Sequence, residues 1–138
     1  DRMGHRRFLA FYLLCGTAAA LAQTIAGPNS TAPMFGGSGA IAGVMGAYFM
    51  LYPHSRIVTV VPIFFFVQIL EMPAILFLGI WFVLQLASGI GSIAAVTGTG
   101  PQGGIAFWAH IAGFLAGAGG VLLFRRPERL RVEWWHAP

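Results

Sequence analysis

Ser38 stands in the run Gly36-Gly37-Ser38-Gly39-Ala40 at the head of a glycine-spaced apolar stretch, and His110 stands early in a second such stretch. A serine hydroxyl is a poor nucleophile until a base takes its proton, and an imidazole within about 2.6 to 3.2 Å can take it. The pair therefore offers acyl transfer: attack of Ser38 on a carbonyl, with His110 as general base. A glycine turn opening a helix also presents free backbone N–H groups and the positive end of the helix dipole. The N–H groups of Ser38 and Gly37 are thus candidates to hold an oxyanion. Two plainer roles stay open. Ser38 could cap its helix, and His110 could be a buried imidazole held by a backbone carbonyl, although an ionisable residue inside a membrane is a functional hypothesis by default.

The rest of the chain limits the chemistry. Its only acids are Asp1, Glu71, Glu128 and Glu133. All are assigned to cytosolic ends, on the far side from Ser38, by the topology derived below, so no third group is expected to orient the base, and a Ser/His dyad is expected rather than a triad. No metal site is expected: His5, His54, His110 and His136 share no ligand spacing, and there is no HExxH. No cofactor is implied.

Composition dictates what must position the pair. The chain is 57% hydrophobic and 9% charged, against about 25% charged in an ordinary soluble domain. It reads as an integral, multi-pass membrane protein in contact with the lipid bilayer. Four apolar stretches, about 8–26, 38–52, 73–88 and 105–124, are expected as helices of one transmembrane bundle covering 1–138, an all-α fold with a tail at 125–138. Pro53 ends the second helix and Pro73 opens the third, at the position where a missing N–H costs nothing. The stretch Ile57–Leu70 is apolar but is interrupted by Pro62 and is short for a crossing. It is expected to be interfacial or re-entrant.

All the basic residues are arginines: Arg2, Arg6 and Arg7 before the first helix, Arg56 after the second, and Arg125, Arg126, Arg129 and Arg131 after the fourth. Loops 27–37 and 89–104 carry no charge. Four crossings with both ends cytosolic satisfy every arginine, and a plasma (inner) membrane is the expected location. The basic balance is then a topology signal, and no aromatic-interleaved basic stripe points to nucleic acid. The start at Asp1 rather than Met, without a signal-peptide pattern, points to a piece of a longer chain.

The second stretch is only about fifteen residues, roughly 22 Å at 1.5 Å per residue, so it falls about 8 Å short of crossing. Its first residue, Ser38, then starts below the outer surface, and His110, five residues into the fourth stretch, is expected at the same depth. Gly39, Gly43 and Gly46 repeat at i, i+4 and i+7, and Gly113, Gly117 and Gly120 repeat that spacing. Small residues let membrane helices approach closely, and His110 lies three residues before Gly113, on the same face. Loop 89–104, with Gly89, Gly91, Gly98, Gly100, Gly103 and Gly104, is expected to cap the site and to lift, with movement of the third helix. Cys15 is a small packing residue, and Trp81, Trp108, Trp134 and Trp135 are expected as interfacial anchors or lipid-facing bulk rather than site residues. Asn29-Ser30-Thr31 matches a glycosylation triplet to which no function is attached.

The segments GGSGAIAGVMGAY at 36–48 and AHIAGFLAG at 109–117 resemble the two signature segments of rhomboid intramembrane serine proteases. The DRMG start, EMPAILFLGIWFVLQLASG at 71–89 and the arginine-rich end extend the resemblance over nearly the whole chain. It implies a six-helix core of which four helices are present here, with Ser38 as nucleophile and His110 as base. The family's first two helices have no counterpart here, and they carry the His and Asn side chains that help form its oxyanion hole. Four residues after the nucleophile, where some members have a Tyr packed on the base, this chain has Ala42, so His110 must be oriented otherwise. The implied function is endopeptidase cleavage of transmembrane segments of substrate proteins. A non-catalytic scaffold of the same fold, binding transmembrane helices without cutting them, is the alternative. A channel or transporter would call for a charge in mid-membrane, which the sequence lacks.

Overall fold

The computed structural model describes residues 2–29, 36–63, 65–95 and 106–126. In chain order these form α1 (His5–Ala26), α2 (Ser38–Leu51), β1 (Arg56–Ile63), β2 (Phe66–Pro73), α3 (Ala74–Ala95) and α4 (Phe107–Phe124). Three of the helices, α1, α3 and α4, are long and apolar enough to cross a membrane; α2 is apolar but shorter.

The expected helical bundle is present, with α4 at its centre. It packs on α1, α2 and α3, most extensively on α2. The glycine spacing explains that closeness. A side chain at Gly113 would run into the carbonyl oxygen of Gly39, and one at Gly117 into that of Gly43. At Gly46 it would meet the backbone of Phe114. Backbone lies against backbone, a spacing any larger residue would forbid. The expected ladder differs in one member: Gly120 faces Phe11 of α1 rather than α2. Cys15 is buried with its Cβ against Gly43, the packing role expected of it.

Two apolar clusters flank this contact. Phe11, Cys15, Ala47 and Val121 join α1, α2 and α4, and Phe11 meets Phe124 edge to face at 5.7 Å. Ala42, Ala74, Leu78 and Phe114 join α2, α3 and α4. Outward faces stay apolar, with Leu13, Leu14 and Leu21 on α1 and Ile80, Val83 and Leu84 on α3 all exposed. Helices apolar on the side away from the core are at home in lipid, not water. Thr17 and Thr24 spend their hydroxyls on the carbonyls of Leu13 and Ala20, one turn back.

The segment 57–70, expected to be interfacial or re-entrant, belongs to an antiparallel hairpin with register Arg56↔Pro73 through Ile63↔Phe66. The structure is therefore not helical throughout. β-branched Ile57, Val58, Thr59 and Val60 suit a strand, and Arg56 pairs with Glu71 at 3.0 Å at its base. A two-stranded hairpin has open edges, whose unpaired backbone groups cannot be left in hydrocarbon. The turn before β1 also caps α3: the N–H groups of Ala74 and Ile75 donate to the carbonyls of Ser55 and Pro53. Pro73 accordingly closes β2, one residue before the helix it was expected to open.

α3 runs to Ala95, past its expected end at Ser88. Gly89 and Gly91, expected in a mobile loop, are helical, and Gly89 is buried close to Ile111, Trp108 and Phe107 of α4. Glycine is tolerated in membrane helices where a neighbour comes close. The remainder of the expected loop, with Gly98, Gly100, Gly103 and Gly104, lies outside the described residues. So do Trp134, Trp135, the tail from 127 and two residues of the Asn29-Ser30-Thr31 triplet.

Candidate active site

Gly36 adopts φ +92°, a left-handed conformation that side-chain-bearing residues rarely take, and turns the chain into α2. Gly37 is the residue before the helix, and a methyl on it would come within 2.6 Å of the Tyr12 hydroxyl. Ser38 is the first helical residue and is exposed. The N-cap position, where a serine would play the capping role left open above, belongs to Gly37. Because helix N-termini leave their first N–H groups without intrahelical partners, this turn can present donors to an anion.

His110 enters from α4, its backbone N–H making an early helical bond to the Ala106 carbonyl. One residue earlier, the Ala109 N–H, which the helix itself cannot satisfy, donates to Gln23 Oε1 of α1 at 3.2 Å. Gln23 thus ties the start of α4 to α1 beside the histidine. The Gly39–Gly113 contact fixes α2 against α4 three residues below. The outcome is that Ser38 Oγ and His110 Nε2 lie 3.0 Å apart, at the depth agreement expected from helix lengths.

The other ring nitrogen is occupied too. His110 Nδ1 is 2.8 Å from Gln85 Oε1 on α3, and Trp81, one turn earlier on α3, sets its ring against the imidazole with centroids 5.9 Å apart at 36°. Neither nitrogen relies on a backbone carbonyl, the partner that the plainer reading of His110 assigned to it. Two expectations are corrected here. A third side chain does reach the His110 ring, an amide rather than an acid, and Trp81 is a neighbour of His110 rather than lipid-facing bulk. Trp81 also meets Phe114 of α4, centroids 6.0 Å apart, and Phe82 of α3 stacks on the same Phe114 ring at 4.7 Å.

Chemically, a hydroxyl hydrogen-bonded to one imidazole nitrogen, with the other nitrogen held, is the geometry that acyl transfer asks of a nucleophile and its base. Among the described residues no group of three or more His, Cys, Asp or Glu could hold a metal ion. Gln85 and Gln23 escaped the sequence reading, and Trp81 was assigned there to a place away from the site. The signal available for Gln85 was an amide within an otherwise apolar stretch, which is expensive in lipid unless paired.

Comparison with curated proteins finds no match, and comparison with solved structures finds none. The family model described as "Rhomboid domain" matches residues 1–127, a span that includes both glycine-spaced helices and the Ser38–His110 contact. With that span matched and a helical membrane fold around it, the chain belongs to the rhomboid family.

Proposed function

We propose that this chain is an intramembrane serine endopeptidase in which Ser38 is the nucleophile and His110 the general base. The observation that carries the reading is the 3.0 Å approach of Ser38 Oγ to His110 Nε2. As Ser38 attacks a peptide carbonyl its proton passes to Nε2, and the imidazolium then returns it to the departing amine. Water hydrolyses the acyl-enzyme by the reverse proton route. The N–H groups of Gly37 and Ser38 stabilise the oxyanion, supported by the dipole of α2.

The substrates are transmembrane segments of other proteins, because His110 sits on a helix long and apolar enough to span a membrane and Ser38 on a shorter apolar helix packed against it. A helical substrate hides its carbonyls, so it must unwind locally, and small or helix-weakening residues near the scissile bond are favoured. Arg2 and Arg126 meet at the opposite end of the bundle, where the Arg126 N–H donates to the Arg2 carbonyl at 2.7 Å. That grouping of arginines supports a cytosolic position for both described ends and a site opening to the outer side of a plasma (inner) membrane.

The test is cleavage of a single-span reporter by the protein reconstituted in liposomes. Ser38→Ala and His110→Ala are each expected to reduce cleavage by at least about 10³-fold while the helical content is retained. Undiminished cleavage by Ser38→Ala would sink the proposal.

A further inference from the structure

We infer that Gln85 of α3 is a positioning residue for the base: its amide oxygen accepts the Nδ1–H of His110 and so leaves the Nε2 lone pair facing Ser38. This rests on the Ser38–His110 reading above and adds a third member to it.

A neutral imidazole carries its proton on one nitrogen, and which one decides whether the ring can act on Ser38. With the proton on Nε2 the ring offers Ser38 a donor and has no lone pair there to receive a proton. With the proton on Nδ1 it is a competent base. The partner of Nδ1 makes that choice. Gln85 Oε1 lies 2.8 Å from Nδ1, and an amide oxygen only accepts, so the bond requires Nδ1–H. When His110 takes the serine proton, the Nδ1–H bond persists and the negative end of the amide dipole stabilises the new positive charge.

Gln85 is built for this task by its surroundings. From Ala74 to Ala87 the other side chains of α3 are apolar or absent, so an amide there has a desolvation cost unless it finds a partner. Trp81 and Gln85 are one turn apart and address the same ring, Trp81 limiting its tilt and Gln85 its protonation. The groups that face the imidazole are Ser38 from α2 and Trp81 and Gln85 from α3, with Gln23 of α1 bonded to the neighbouring Ala109 N–H. An amide fixes the proton's place without adding a second ionisable group to this membrane-embedded site, where an unpaired carboxylate would be costly.

The test combines kinetics with spectroscopy on the protein in detergent micelles. In histidine-¹⁵N-labelled protein, at a pH where the ring is neutral, the His110 signals are assigned by their loss in His110→Gln. Nδ1 is expected to be the protonated nitrogen in the wild type. Gln85→Met, similar in volume but without the oxygen, is expected to shift the tautomer population toward Nε2–H. It should lower kcat on the order of tenfold, the equivalent of one net hydrogen bond, with KM little changed. Gln85→Glu, which restores an acceptor oxygen, is expected to recover most of that loss. An Nε2–H tautomer in the wild type overturns the inference without kinetics, and so does a Gln85→Met variant with unchanged tautomer and kcat. If Gln85→Met does not fold, the wild-type tautomer alone decides. Should cleavage prove independent of Ser38, the protease reading fails instead, and the tautomer measurement still reports on Gln85 by itself.

Discussion

Ser38 and His110 are 72 positions apart in sequence and 3.0 Å apart in space, Oγ to Nε2. Two features of the chain produce that distance. α2 is short, so Ser38 begins below the level reached by the longer helices. The glycine contacts Gly39–Gly113 and Gly43–Gly117 bring the backbones of α2 and α4 together just beneath the pair. The site is a product of helix length and small-residue packing, and its predictions follow from each.

Glycines that look alike in sequence should differ sharply. Gly117→Ala places a methyl against the Gly43 carbonyl, whereas Gly119→Ala meets nothing within 4 Å. The first is expected to destabilise by about 1 to 3 kcal/mol through forced separation of α2 and α4. The second should be neutral or slightly stabilising. Thermal unfolding of the two variants in one detergent checks the contrast.

A parallel contrast holds on α3. Gly89 is buried, with Ile111 Cδ1 3.3 Å from the place a Cβ would take, whereas Gly91 faces open space. Gly89→Val is expected to push α3 from α4, carrying Trp81 and Gln85 off His110, and to cut turnover by on the order of tenfold, the equivalent of one net hydrogen bond. Gly91→Ala should leave turnover unchanged. Measuring kcat for both distinguishes a packing contact from a flexible loop at this point in the chain.

Gln23 holds the Ala109 N–H at 3.2 Å. Replacing it as Gln23→Leu strands a donor at the start of α4 and should cost about 1 to 3 kcal/mol. Unfolding measurements give the stability change, and the tautomer of His110 should stay as in the wild type, since Gln85 is untouched.

By contrast, the Arg56–Glu71 pair is solvent-exposed on both partners, and such pairs contribute about 0 to 1 kcal/mol. Glu71→Gln is expected to leave unfolding and cleavage within that margin, measured at low and at high salt.

Much of this architecture was legible because membrane helices announce themselves by length and apolarity, and close contacts by glycine spacing. Ser38 and His110 could be paired from depth and face before any coordinates. What was not legible had specific causes. The hairpin is apolar on both faces, Val58, Val60 and Ile69 on one as much as Phe66 and Leu70 on the other, so it lacked the alternation that marks a half-buried strand, though the β-branched run at 57–60 was a usable hint. α3 was cut short because Gly89 and Gly91 read as loop residues, while both are helical, Gly89 leaving room for α4 and Gly91 facing open space. Gln85 and Gln23 were missed because their value lies in what they touch across helices, on α4 in both cases. Spacing within their own helices does not reveal it.

The most direct test of the Ser38–His110 pair is covalent labelling. The protein is treated with a fluorophosphonate and the peptide carrying Ser38 is read by mass spectrometry, with His110→Ala in parallel. The account predicts an adduct on Ser38 in the wild type and its loss, by at least about 10³-fold in labelling rate, in the variant. An unlabelled Ser38, or labelling that proceeds equally without His110, would contradict it.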